Sequence, residues 1–266
     1  MHALSAPCAD PRFPALAGPW AVGCGPDGRV DRAVFLPTGR LIPLPMALDT
    51  PCVAPGRLWD PSMPNGLIAL GAQQATSLPA RAWGQQAGPC ALDGEQGLAQ
   101  IREGLEHGAA GAGTRTRLDA APVGWEAVGL ANGWIAWTER INGLAVLHMQ
   151  APRAEAKAPP IADGARHVTS AGGALAWIEP QAVASWRPGA ASVSRWATHT
   201  GFSAPLGFDG LHACWEERAR GDLDVRCSDG IVRAGPGDQR APSRWGPYLL
   251  YREGDLPTLW VQVASP

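Results

Sequence analysis

The chain has 266 residues, 45% hydrophobic and 17% charged, with a formal net charge of −2. The apolar share is enough for a core and argues against wholesale disorder. The near-neutral charge, with Lys157 the only lysine, argues against a nucleic-acid binder that works by phosphate neutralisation, and no run reaches the roughly 18 apolar residues of a membrane span.

Met1-His2-Ala3-Leu4-Ser5-Ala6 has neither the basic start nor the apolar stretch of a secretory leader. Export would imply a leader already removed. Beyond it, apolar runs of four to six residues recur, punctuated by Gly, Pro, Asn or Asp, which is the pattern of an all-β chain. Gly18-Pro19-Trp20 to Cys24 opens the first such unit. Gly56-Arg57-Leu58-Trp59-Asp60, followed by Asn65-Gly66 and Leu67–Leu70, opens a second. Gly88-Pro89-Cys90-Ala91-Leu92 fits a third. Residues 95–107 hold the best helix candidate. Gly97 and Gly104 interrupt it, so it also reads as strand, loop, strand. Gly108 to Gly113 is glycine-rich, but no helix follows to cradle a phosphate.

From residue 132 onward the repeat is clear. Trp137, Trp177, Trp215 and Tyr251 recur at 36 to 40 residues, each with a glutamate two positions later (Glu139, Glu179, Glu217, Glu253), a turn, and another strand. Asn142-Gly143 is a strong hairpin signal and places Trp137 opposite His148; the same counting sets Trp215 opposite Arg226. Unit starts at 18, 56, 88, 132, 172, 209 and 246 fill the chain with seven units. Units near 40 residues with four short strands give a β-propeller, seven-bladed with six blades as the runner-up, as one domain over 1–266. The last unit has room for three strands, so residues 1–17 are expected to supply the fourth. The recurring aromatics wedge neighbouring blades apart.

Six cysteines and no C-x-x-C argue against a zinc ribbon or a thioredoxin motif. A hairpin turning at Arg220-Gly221 puts Cys214 directly opposite Cys227, close enough to bridge. Cys8, Cys24, Cys52 and Cys90 allow three pairings, of which proximity favours Cys8–Cys24, leaving Cys52–Cys90. Paired cysteines indicate an oxidising compartment, periplasmic or extracellular.

The segment Cys214-Trp-Glu-Glu-Arg-Ala-Arg-Gly-Asp-Leu-Asp-Val-Arg-Cys-Ser-Asp-Gly230 resembles the repeat of TolB-type propellers. The resemblance covers residues 120–266 best. It departs from that family in blade number, commonly six there. The family includes periplasmic protein-binding scaffolds and domains attached to peptidases, so the resemblance implies a fold more than an activity.

The sequence offers few chemical groups for catalysis. It has no G-x-S-x-G elbow, H-E-x-x-H or phosphate loop. The histidines (2, 107, 148, 167, 199 and 212) show no metal-ligand spacing, and no cofactor or metal is expected. Glu139, Glu179, Glu217 and Glu253 would form an arc on one rim, either as an acidic ring for a cation or basic peptide or as strand ends paired with neighbouring arginines. Arg166 and His167, on an innermost strand, would face the central channel; Asp31 and Arg117 are lesser candidates. The tryptophans beyond the repeat anchors (20, 59, 83, 125, 186, 196, 245 and 260) suit inter-blade packing, or stacking on sugars. The expected function is non-catalytic binding or scaffolding outside the cytoplasm, with a protein partner. A hydrolase or lyase at the channel mouth and a lectin are the alternatives.

Overall fold

The computed structural model describes residues 3–4, 8, 15–102, 104–112, 115–118, 125–153, 155–198, 202–219, 221–253 and 259–263. Among them every regular element is a β-strand. After β1 (Ala3–Leu4), the first sheet holds β2 (Ala15–Leu16), β3 (Trp20–Cys24), β4 (Val30–Phe35) and β5 (Arg40–Leu48). The second holds β6 (Cys52–Ala54), β7 (Arg57–Trp59), β8 (Leu67–Leu70) and β9 (Ala75–Leu78). The third has β10 (Gln86–Asp93), β11 (Gln96–Ile101), β12 (Gly104–Ala109) and β13 (Arg115–Leu118). The fourth has three strands, β14 (Trp125–Ala131), β15 (Trp134–Ile141) and β16 (Leu144–Gln150). The fifth has β17 (Arg166–Ala171), β18 (Ala174–Glu179), β19 (Ala182–Trp186) and β20 (Ser194–Ala197). The sixth has β21 (Phe202–Phe208), β22 (Ala213–Ala219), β23 (Asp222–Cys227) and β24 (Val232–Arg233). The last has β25 (Gln239–Trp245), β26 (Tyr248–Glu253) and β27 (Leu259–Val263), and β1 pairs onto β27 through Ala3 opposite Trp260.

Each sheet is an antiparallel meander whose first two strands meet at a tight turn. That turn needs a residue with positive φ. Gly18, Gly56, Gly94, Gly133, Gly173, Gly210 and Gly246 supply it at intervals of 36 to 40 residues, with φ between 51° and 95°. The third unit therefore turns at Gly94, and Gly88 lies inside β10. Residues 95–107 contain β11 and most of β12, with no helix.

Hydrophobic clusters lie between sheets rather than within them. Leu48 of the first sheet packs with Leu58 and Ile68 of the second; Trp59 packs with Ala99 and Ile101 of the third. Leu98 packs with Leu130 of the fourth, and Trp134 with Trp177 and Trp186 of the fifth. Ile178 then meets Trp215 of the sixth, and Val225 meets Leu249 and Tyr251 of the last. Leu250 of the last sheet packs with Leu16 and Ala21 of the first. A four-stranded sheet buries two faces only if it has a neighbour on each side, and this succession provides one. At one such approach, β21 against β25, a Cβ on Gly207 would sit 2.6 Å from the carbonyl oxygen of Pro242.

The expected registers are present. Trp137 faces His148, Trp215 faces Arg226 and Cys214 faces Cys227. The Cys214–Cys227, Cys8–Cys24 and Cys52–Cys90 disulfides are all formed. Cys52–Cys90 joins β6 to β10, the first strands of neighbouring sheets. Between β16 and β17 the chain runs outside regular structure, with exposed Lys157 midway. The expected turn at Gly254-Asp255, Arg220 of the sixth-sheet hairpin, Gly113, and most of residues 1–17 lie outside the described residues.

Candidate functional site

The first strands of the sheets converge on one cavity of about 430 Å³. β2, β6, β10, β14, β17, β21 and β25 all contribute to its wall. The wall combines apolar side chains (Leu16, Val53, Val128, Val168, Leu206, Phe208) with a nearly equal polar surface, and its volume lies in the range of small-ligand sites. Hydroxyls stitch adjacent first strands together: the Leu130 amide donates to Ser170 Oγ at 3.0 Å, and the Leu16 amide to Ser243 Oγ at 2.9 Å.

Five of these first strands carry a register shift midway, between Gln86 and Cys90, Trp125 and Ala127, Arg166 and Thr169, Ser203 and Gly207, and Arg240 and Ser243. Such bulges re-aim side chains. His167 sits in one with φ of 52°, and Ala241 in another with φ of 52°. For non-glycine residues this is a strained backbone, held by its surroundings. His167 lines the cavity beside Glu126. Burial lowers the His167 pKa; the Glu126 charge opposes this, and the Arg166 and Arg140 charges add to it. Arg140 hydrogen-bonds Glu126 Oε1 through Nε at 2.9 Å, while Glu126 Oε2 is buried without a hydrogen-bond partner among the described residues.

Two charged wall residues, Glu126 and Arg244, were not singled out in the sequence. Arg244 has only 4% of its side chain exposed and donates from Nη2 to Asp229 at 2.7 Å, with Asp209 at 3.9 Å from Nε. Its Nε and Nη1 make no hydrogen bond among the described residues. Opposite the second residue of the second strand, where Arg244 faces Leu249, the other units carry Leu16, Val53, Leu92, Leu130, Ser170 and Gly207, so a charged residue there is the available signal.

The four repeated glutamates are elsewhere: none lines the cavity. Glu179 is buried, accepts from Trp177 Nε1 at 3.1 Å, and takes two hydrogen bonds from Arg195 on β20, from Nε at 2.8 Å and Nη2 at 3.1 Å. Burial would raise its pKa, but the hydrogen bonds from Arg195 and Trp177 outweigh it, so the carboxyl titrates below its ordinary range. Glu217, 2% exposed, accepts from Trp215 Nε1 at 3.0 Å and has Arg226 at 3.4 Å. Glu139 meets His148 Nε2 at 2.9 Å, and that imidazole stacks on Trp137 at 5.2 Å. Glu253 is half-buried on β26, opposite Gln239. Asp31 is paired with Arg32 on β4 and Arg117 lies on β13, so neither reaches the cavity.

Of the extra tryptophans, Trp20, Trp59, Trp83 and Trp186 are buried between sheets, and Trp196 and Trp245 are half-buried against them; nothing is described for the side chains of Trp125 and Trp260. His212 is fixed by Asp209, its amide donating at 2.6 Å. Burial lowers the pKa of His107 on β12. His2 and His199 lie outside the described residues. Among the described residues no three His, Cys, Asp or Glu side chains gather as a metal site, and no helix is long and apolar enough to cross a membrane.

Among the described residues, antiparallel meanders packed face to face, with their first strands around a common cavity, define an all-β propeller. The chain is similar in fold to the β-propeller domain of Cps50 (Swd1) from Myceliophteria thermophila, with a TM-score of 0.53 at 10% identity over 97% of both chains. It is also similar to the extracellular domain of BT4673 from B. thetaiotaomicron, with a TM-score of 0.50 at 7% identity over 93% of this chain and 40% of that one. No known family profile matches the chain, and no curated protein matches it. At these identities the likeness concerns the fold alone.

Proposed function

We propose that this chain is a single seven-bladed propeller, closed where β1 completes the last sheet, that works outside the cytoplasm as a non-catalytic binding or scaffold protein. The observation that carries the reading is the convergence of all seven first strands on one walled cavity. A rigid ring with several loops presented on one face suits recognition. Contact between the last and first sheets through Leu250 and Leu16 supports closure, and three disulfides support an oxidising compartment. The repeat at 214–230 supports a TolB-type lineage.

His167, which lines the cavity beside Glu126, and its neighbour Arg166, which starts β17 outside the cavity lining and opposite Ile178, are the ligand-contacting residues of this reading. Glu179 and Glu217 accept from indoles and face arginines in the frame, Glu139 approaches His148, and Glu253 is assigned no ligand.

Crosslinked capture from an envelope extract tests the reading. One stoichiometric protein partner, lost at least tenfold in an Arg166→Glu/His167→Glu variant of unchanged melting temperature, supports it. No partner, together with a small molecule retained in the purified channel, moves the assignment to an enzyme. Six free thiols under denaturing, non-reducing conditions would overturn the compartment.

A further inference from the structure

The outer edges of the sheets differ in how they are protected. An exposed strand edge presents unpaired N–H and C=O groups that recruit another strand, and proteins blunt it with brevity, proline or charge. Here β5 carries Pro43, Pro45 and Arg40; β13 carries Arg115 and Arg117, and β20 carries Arg195. β9 has four residues, and β24 and β1 have two each. The fourth sheet has no such device. Its outermost strand, β16 (Leu-Ala-Val-Leu-His-Met-Gln), has seven residues, no charge and no proline, and no described strand pairs with its outer side.

The register fixes which groups face outward. Asn142 and Gly143 both have positive φ, 51° and 83°, in a two-residue turn between Ile141 and Leu144. In such a turn Ile141 and Leu144 form a hydrogen-bonded pair, and the pairing alternates from there. Leu144, Val146, His148 and Gln150 therefore bond to β15, while the N–H and C=O groups of Ala145, Leu147 and Met149 point away. The adjoining hairpin exposes two large apolar side chains, Ile141 at 43% and Leu144 at 71%.

The local charge says what kind of strand fits. In the fifth and sixth sheets the glutamate two residues after the tryptophan has an arginine, Arg195 or Arg226. In the fourth, among the described residues, Glu139 faces the His148 imidazole at 2.9 Å and no arginine. In the fifth sheet that arginine comes from the fourth strand, where Arg195 lies opposite Ala184 and Ala184 opposite Trp177; the corresponding vacant position lies opposite His148.

We propose that the outer edge of β16 binds an extended segment of a partner protein as an antiparallel fourth strand, with a basic residue opposite His148 and an apolar one opposite Leu147. Extended peptides add to sheet edges in this way, main-chain bonds giving affinity and alternate side chains specificity. A second copy of the chain fits less well. Two convex rims meeting along one strand roughly 23 Å long bury far less than the roughly 800 Å² per partner of a stable dimer. The proposal does not rest on the channel-face assignment to Arg166 and His167.

A synthetic peptide with the sequence of residues 192–198, Ser-Val-Ser-Arg-Trp-Ala-Thr, is the probe, added to the full chain and followed by amide hydrogen exchange. The expected result is at least tenfold slowing at Ala145, Leu147 and Met149, with β19 unchanged. N-methylating the alternate peptide amides that face β16 should remove the effect, and methylating the others should leave it within twofold. Arg→Glu in the peptide should weaken it at least threefold. No slowing at millimolar peptide, equal slowing by a scrambled peptide, or prior protection of these three amides in the free chain would overturn the proposal. Protection that grows with protein concentration alone would overturn it in favour of a second copy.

Discussion

The fourth and fifth sheets begin from nearly the same sequence and end in different states. Gly133-Trp-Ile-Ala-Trp-Thr-Glu139 and Gly173-Ala-Leu-Ala-Trp-Ile-Glu179 both place an indole and a carboxylate on one face of the second strand. In the fifth sheet the indole donates to the carboxylate, an arginine from the fourth strand closes the pair, and Trp177 is fully buried. In the fourth sheet no fourth strand follows among the described residues. Histidine stands in for arginine, Trp137 is half-buried, and its Nε1 has no partner among the described residues. The same motif thus becomes a sealed joint or an open one according to what the chain provides one strand further out.

Tryptophan removal should break the contrast most sharply. Trp177→Ala should cost about 3–5 kcal/mol in urea unfolding, as large core truncations do, whereas Trp137→Ala, from a half-buried site, should cost roughly half as much. Equal losses would mean that the two interfaces are equally packed. The carboxylates should follow. Glu179→Gln should cost roughly 1–3 kcal/mol, because it weakens a buried charge-assisted network, and Glu139→Gln less than about 1 kcal/mol, as for an open pair.

The pH dependence sharpens the comparison further. Glu179 titrates below its ordinary range in the folded chain, so its stabilisation is complete above the unfolded-state value of about 4.3 and disappears as pH falls through the lower folded one. The gap in stability between the wild type and Glu179→Gln should therefore close below about pH 4; a gap that persists at acid pH would remove the ion pair from the account. The smallest effect concerns the start of β17 in the fifth sheet. His167 should titrate by NMR below the ordinary value of about 6.5, since burial opposes its charge. Its part in stability is complete above that value and falls away as pH drops toward the folded one.

Much of this arrangement was legible in the sequence, because turns and cross-strand counting are local. Asn142-Gly143 fixed Trp137 against His148, and a turn at 220–221 fixed Cys214 against Cys227. The third unit turns six residues later than its Gly-Pro suggests, because Gly-Pro occurs in two settings. Gly18-Pro19 and Gly246-Pro247 are turns between first and second strands, whereas Gly88-Pro89 lies in the register shift inside β10. Ala204-Pro205 and Ala241-Pro242 lie in the same kind of shift in β21 and β25, where proline forfeits no ladder hydrogen bond. Glu126 and Arg244 escaped notice because they belong to different sheets, more than a hundred residues apart, and the cavity that unites them exists only once the first strands converge. That β16 lacks a described strand neighbour follows from residues 151–165, whose three prolines and lack of alternation do not suit a fourth strand.

Lys157 carries the chain's one side-chain amine and is exposed seven residues beyond the end of β16. Amine-directed reagents used near neutral pH will therefore modify this position and, at most, the α-amino group. A dye or photoreactive group can be installed within seven residues of the end of that strand without engineering a cysteine into a protein whose thiols are all committed to disulfides.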